Sequence, residues 1–193
     1  MRSSGSTRRP SPDGPLALYL EVTGDDHPKA CTGRRLLHRG LARPVNAAGR
    51  VYPAPVVLDP YAEKPLSAVD RRAAVRGGLL AVDCSWNRLS ARGGFSEETV
   101  RSTGPGLRRR LPILIAANPQ HYGRIAELNT VEALSAALYV LGRREEAAGL
   151  LQGFRGGEGF LEINRERLDA YAAATSPDAV RAAEQALYGG PAP

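Results

Sequence analysis

The rhythm of apolar and polar positions changes near the middle of this 193-residue chain. In the first half, short apolar runs alternate with polar loops. Leu16 to Val22 (LALYLEV), Pro55 to Leu58 (PVVL), Leu79 to Asp83 (LLAVD) and Leu111 to Ala117 (LPILIAA) have the length and the branched or aromatic content of strands. Pro112 lies near the start of its run, where a strand tolerates it. Two helices are predicted between the strands. Thr32 opens the first, which runs to about Arg39 with Leu36 and Leu37 facing inward and Gly40 as its stop. Ser67-Ala68-Val69-Asp70 has the form of a capping box and opens the second, which Gly77-Gly78 closes. The Gly/Arg-rich stretch from Arg88 to Arg110 holds one short helix near Glu97. Short apolar strands alternating with helices predict a parallel sheet under helical cover.

After Asn118 the period becomes helical. Asn129-Thr130-Val131-Glu132 caps a helix whose Val131, Leu134, Leu138 and Leu141 form one apolar face, stopped at Gly142. Further helices are predicted over 143–152 and 164–174, and from Ser176-Pro177-Asp178 to Tyr188. The expected plan is a disordered basic arm (1–15), an α/β domain (16–105) and a mainly helical domain (106–193).

Composition narrows the class. A chain that is 42% hydrophobic and 24% charged, with no apolar run near the roughly 20 residues of a membrane span, reads as soluble. MRSSGSTRRPSPDGP lacks an apolar segment behind its charges, so it does not read as a signal peptide. Cys31 and Cys84 make neither a zinc spacing nor a disulfide framework, which suits a reducing cytoplasm. The net charge of +6 is carried almost wholly by arginine, a side chain that binds phosphate bidentately and stacks on bases. An anionic polymer is a natural partner.

Several kinds of chemistry are missing. No GxGxxG, P-loop or metal-ligand cluster is present, and no metal is expected; His27, His38 and His121 are scattered, with His38 on a helix surface. What remains is three loops at strand ends: DDHPKACTG, DCSWN and AANPQHYGRIAELNT. In a parallel sheet these share one edge, where ligands bind. Two of them lead into helix starts, at Thr32 and at Asn129-Thr130, and such starts suit a carboxylate or phosphate. Capping alone explains both threonines equally well. The middle loop brings Asp83, Cys84 and the single Trp86 together; core filling and ligand binding both fit this triplet.

DHPKACTGRRL, LDPYAEKPLSAVDR, LLAVDCSW, LPILIAANPQHYG, LNTVEALSAALYVLG and GFLEINRERLDAY fall in the order of the segments of the small-subunit rRNA aminocarboxypropyltransferases. The resemblance covers about residues 16–175, and VDCSW with AANPxxYG is its most specific part. It implies a SPOUT-like α/β domain with a parallel sheet and a trefoil knot, followed by a helical domain. The implied reaction moves the 3-amino-3-carboxypropyl group of S-adenosylmethionine to N3 of a (methyl)pseudouridine in small-subunit rRNA and releases methylthioadenosine. The implied setting is a cytoplasmic, membrane-free monomer acting on rRNA or the pre-ribosomal small subunit.

By the same resemblance, Trp86 packs against the donor's methyl group and Thr32 holds its carboxylate. Val82 meets the ribose through its backbone carbonyl, Leu58 and Leu111 wall the adenine, Thr130 completes the pocket, and Ala126 lies beside it. Asp83 is the candidate catalytic residue: a carboxylate there either takes the weakly acidic N3 proton or only orients the base by a hydrogen bond. Lys29, Arg34, Arg35 and the run Arg108-Arg109-Arg110 are the candidates for RNA phosphate; a run of three arginines is also what a solvated loop looks like. Three positions depart from the family pattern. His27 stands where Asp is frequent before Pro-Lys, Ile125-Ala126 replaces a Pro-aromatic pair beside the pocket, and Arg155 stands where Trp is usual. The competing readings are a SPOUT-like methyltransferase and a non-catalytic rRNA-binding assembly factor.

Overall fold

A computed structural model of the chain describes residues 14–22, 32–45, 51–83 and 105–189. The basic arm, apart from its last residues, the helix expected near Glu97, and Lys29, Cys31, Cys84 and Trp86 lie outside the described residues. Five strands, β1 (Leu18–Val22), β2 (Arg43–Pro44), β3 (Val56–Leu58), β4 (Leu79–Asp83) and β5 (Leu107–Arg109), form one sheet in the order β2-β1-β4-β3-β5. Every pairing is parallel. The described helices are α1 (Thr32–His38), α2 (Arg71–Gly77), α3 (Thr130–Val140), α4 (Arg144–Leu151), α5 (Gly157–Ile163), α6 (Arg165–Ala173) and α7 (Pro177–Tyr188). None is long and apolar enough to cross a membrane.

The stop signals act as the sequence predicts. Gly40 adopts φ 67°, and Leu41 N–H returns to Leu36 O at 3.0 Å, closing α1. Ser67 N–H donates to Asp70 Oδ2 at 3.1 Å ahead of α2, and Ser176 Oγ accepts from Ala179 N–H at the start of α7.

Three expectations change. The two-residue β2 escapes a pattern search because it is too short to show alternation. Helix α5 begins among Gly156, Gly157 and Gly159, which argue against a helix by propensity; Phe160, fully buried, holds it in place through packing. The third change concerns Leu111 to Ala117, which joins no ladder of the sheet; the fifth strand is the arginine-bearing β5 before it.

The reason lies in what satisfies the backbone of that segment. Glu184 of α7 accepts from Ile113 N–H at 3.0 Å, Asn164 from Ile115 N–H at 2.9 Å, and Glu132 of α3 from Ala117 N–H at 2.9 Å. Tyr171 donates its hydroxyl to Ile113 O at 2.9 Å. Along the other side, Ala126 N–H reaches Leu114 O and Ala116 N–H reaches Arg124 O. Buried side chains from the helical layer thus replace a neighbouring strand. The apolar content that makes the run look like a strand instead places it at the centre of one core that extends from Leu16 to Val180.

Candidate active site

Alternation along β4 decides which way its last residue points. Leu79 and Ala81 belong to the core shared with the helices, whereas Leu80 packs with Val57 on the opposite sheet face. Asp83 continues the first set and meets the starts of α1 and α3. It is 5% exposed, and Thr130, the first residue of α3, donates its hydroxyl to Asp83 Oδ1. Gly33 of α1 lies against the same carboxylate. A Cβ at that position would stand 2.5 Å from Asp83 Cγ and Oδ2. Glycine is required there by close approach, since any other side chain would displace the carboxylate or the helix.

The other expected pocket residues lie at the following places in the fold. Thr32 is the first residue of α1, immediately before Gly33, and is half-buried. Leu58 ends β3 and is buried, and Leu111 packs half-buried against the core. The β3–β4 ladder ends at Leu80, so Val82 extends past its last partner on β3 while still pairing with Glu21 of β1. A crevice that opens between strands at their carboxyl ends is where such sheets receive ligands. Ala126 is exposed and takes φ 62°, a left-handed value unusual for a residue with a Cβ. Its N–H is fixed to Leu114 O at 2.8 Å, so it borders the segment that follows Leu111.

The start of α3 is held by a second carboxylate. Asn129 accepts from Glu132 N–H, and Glu132 Oε2 accepts from Asn129 N–H, each at 2.9 Å, a reciprocal capping box. The same Oε2 accepts from Asn118 Nδ2 at 2.7 Å while Oε1 holds Ala117 N–H. Burial pushes the Glu132 carboxyl above the usual range; the bonds from Asn129, Asn118 and Ala117 pull the other way. Asn118 also accepts from His121 N–H at 3.0 Å, and His121 Nδ1 is hydrogen-bonded to Glu127. Among the described residues no three His, Cys, Asp or Glu side chains are arranged to hold a metal ion.

The arginines separate into two groups. In the run before Leu111, Arg108 reaches Asp59 at 3.3 Å, Arg109 grips Asp70 at 3.0 Å, and Arg110 forms a two-pronged pair with Glu184 at 2.7 and 2.8 Å. For Arg109 and Arg110 the partner is an almost fully buried carboxylate of the same chain, a role different from the phosphate contact expected of them. On α1, Arg34 and His38 are exposed. Arg35 and Arg39 donate to Gly153 O at 3.0 and 3.1 Å and lie 4.8 and 4.6 Å from the Phe154 ring centre. Arg34, Arg35 and His38 of α1, with Arg39 just past its end, line an open surface hollow of about 420 Å³.

The sequence singled out Asp83 and Thr130 as candidates but not their contact, and it did not point to Gly33, Asn118 or Glu132 as their neighbours. A glycine directly after a candidate ligand threonine, and an asparagine closing an apolar run, were the available signals.

Comparison with known proteins places the chain in context. Residues 56–188 match the family described as "Ribosome biogenesis protein, C-terminal". A 16S rRNA aminocarboxypropyltransferase of Methanopyrus kandleri is 49% identical over 172 residues, covering 86% of this chain and 95% of that one. The protein of the same name from Halobacterium salinarum is 42% identical over 89% of this chain and 96% of its own. Among solved structures, the SAM-dependent rRNA:acp-transferase Tsr3 from Vulcanisaeta distributa superposes with a TM-score of 0.72 at 32% identity, covering 91% of this chain and 99% of that chain.

Proposed function

The chain belongs to the 16S rRNA aminocarboxypropyltransferase family, and we propose that it transfers the 3-amino-3-carboxypropyl group of S-adenosylmethionine to N3 of a (methyl)pseudouridine in small-subunit rRNA. The observation that carries this reading is the convergence of Asp83, Thr130 and Gly33 at the end of β4, just past the point where the β3–β4 ladder stops.

When bound, the donor supplies a sulfonium with two relevant electrophilic carbons, the methyl and the Cγ of the amino-acid chain. Position decides which of them meets the nucleophile in line. Thr32 holds the carboxylate of the chain, Leu58 and Leu111 enclose the adenine, Val82 takes the ribose, Thr130 and Ala126 border the pocket, and Trp86 covers the methyl. The rRNA N3 lone pair then forms the new bond to Cγ while the C–S electron pair goes to sulfur, leaving neutral methylthioadenosine. The N3 proton passes to Asp83. Thr130 orients the carboxylate through its hydrogen bond to Oδ1. Arg34 and Arg35 on α1, together with Lys29 and Arg108, carry phosphate. The trefoil knot that the resemblance implies belongs to this reading.

The deciding measurement incubates the protein with S-adenosylmethionine and unmodified-at-N3 small-subunit rRNA and identifies both products by mass spectrometry. Methylthioadenosine with an aminocarboxypropyl nucleotide is expected. S-adenosylhomocysteine with a methylated nucleotide would establish a methyltransferase, and rRNA binding without either product would leave an assembly factor.

A further inference from the structure

Glu132 lies two residues past Thr130 and its carboxylate closes three contacts at once, with a fourth made by its own backbone N–H. It accepts from Ala117 N–H, Asn118 Nδ2 and Asn129 N–H, and its own N–H is taken by Asn129 Oδ1. A carboxylate 1% exposed, with donors converging on both oxygens, admits little alternative geometry. Asn118 extends the cluster, since its Nδ2 also reaches Glu127 O at 3.3 Å and its Oδ1 accepts from His121 N–H. The site-edge loop after Ala117 and the start of α3 are therefore locked to each other through one side chain. The Thr130 hydroxyl, at the first residue of α3, reaches the site by its bond to Asp83.

We propose that Glu132 is a positioning residue for the transfer reaction: by clamping the Ala117–Asn118 turn to the α3 start, it sets the Thr130 hydroxyl on Asp83. This rests on the function proposed above. An ordinary capping box needs only the Asn129 half of these contacts. The bonds to Ala117 and Asn118 add nothing to capping, and they are what couples the two site-bearing segments. Burial, which pushes the Glu132 carboxyl upward, makes the position costly for helix stability alone.

The test is a double-variant cycle of Glu132→Gln with Thr130→Val, read in two ways on protein shown to be folded by circular dichroism. The amide keeps the bond from Ala117 but presents its NH2 to the donors of Asn129 and Asn118. The first readout is the carboxyl-carbon resonance of Asp83, which needs no activity. Glu132→Gln should move it in the same direction as Thr130→Val, and the pair should move it no further than Thr130→Val alone. The second readout is single-turnover transfer to rRNA: each single variant should lose about tenfold or more, and the pair should match Thr130→Val. Asn118→Ala, which frees the same carboxylate from the other side without touching the capping box, should reproduce both effects in weaker form. An unmoved Asp83 resonance in Glu132→Gln and Asn118→Ala, or losses that simply add in the cycle, would overturn the proposal. If the resonance behaves as expected but the wild-type protein transfers no aminocarboxypropyl group, the functional reading fails and the coupling stands.

Discussion

The Thr130 hydroxyl donates to Asp83 Oδ1 across 47 residues of sequence, joining the end of the central strand to the first residue of α3. Neither partner has much freedom: Asp83 is fixed by β4 and Thr130 by the capping box behind it. A carboxylate so held meets the requirement of a general base, which must be placed before it can be effective. Asp83→Asn keeps shape and most hydrogen bonding but removes the proton acceptor. Single-turnover transfer should fall by roughly a hundredfold or more, with S-adenosylmethionine and rRNA affinity nearly unchanged. Retention of most activity in Asp83→Asn, with loss in Asp83→Ala, would instead assign Asp83 to orienting the base.

Gly33 gives an independent test of the same geometry. An exposed helical Gly→Ala exchange ordinarily stabilises a protein by about 0.5–1 kcal/mol. Here the new Cβ would sit 2.5 Å from the Asp83 carboxyl carbon. Gly33→Ala should therefore lower the melting temperature and cut transfer by at least about tenfold. An unchanged or raised melting temperature with full activity would show that α1 and β4 do not approach this closely.

How far the sequence revealed the site follows from what each signal measures. Apolar rhythm and caps located β1, β3, β4, α1, α2, α3 and α7 because each carries its own start or stop residue. The same rhythm mistook Leu111 to Ala117 for a ladder strand. Periodicity reports burial, and this segment is buried, but the groups that pair its backbone sit 15 to 71 residues away on Glu132, Asn164 and Glu184. The partners of the arginine run were hidden for a similar reason: nothing local to Arg108-Arg109-Arg110 indicates that Asp59, Asp70 and Glu184 will fold onto it. Asp83 and Thr130 were legible through resemblance, yet their contact was not, since hydrogen bonds between distant segments leave no mark on spacing.

Tyr171 provides a pH signature of that buried segment. Its hydroxyl donates to Ile113 O, and burial pushes the phenol well above its ordinary value of 10. The folded-state value exceeds the unfolded one, so the stabilisation is complete below about pH 10 and declines at higher pH, where the unfolded phenol ionises first. Urea titrations from about pH 8 to about pH 11 should show the wild-type protein losing stability faster than Tyr171→Phe, which is about 1 kcal/mol weaker near neutrality. Tyr139, also raised chiefly by burial and bonded to Asp169, leaves a smaller slope in the variant. Parallel curves for the two proteins would contradict the placement of Tyr171.

The two arginine groups predict opposite phenotypes. Arg110 and Glu184 form a two-pronged pair with side chains 20% and 4% exposed, and Glu184 also holds Ile113 N–H. Deleting one partner of such a pair strands the other charge and costs about 3–5 kcal/mol. Arg110→Ala should thus unfold at markedly lower urea, while rRNA affinity per folded molecule keeps its salt dependence. Arg34 lies exposed on α1, on the hollow shared with Arg35, His38 and Arg39. Each phosphate contact contributes nearly one unit to the slope of log affinity against log salt, so Arg34→Glu should weaken rRNA binding and flatten that slope by about one or more. Its affinity for S-adenosylmethionine should remain that of the wild type. If Arg110→Ala flattened the salt slope and Arg34→Glu did not, phosphate would be read by the run before Leu111 and not by α1.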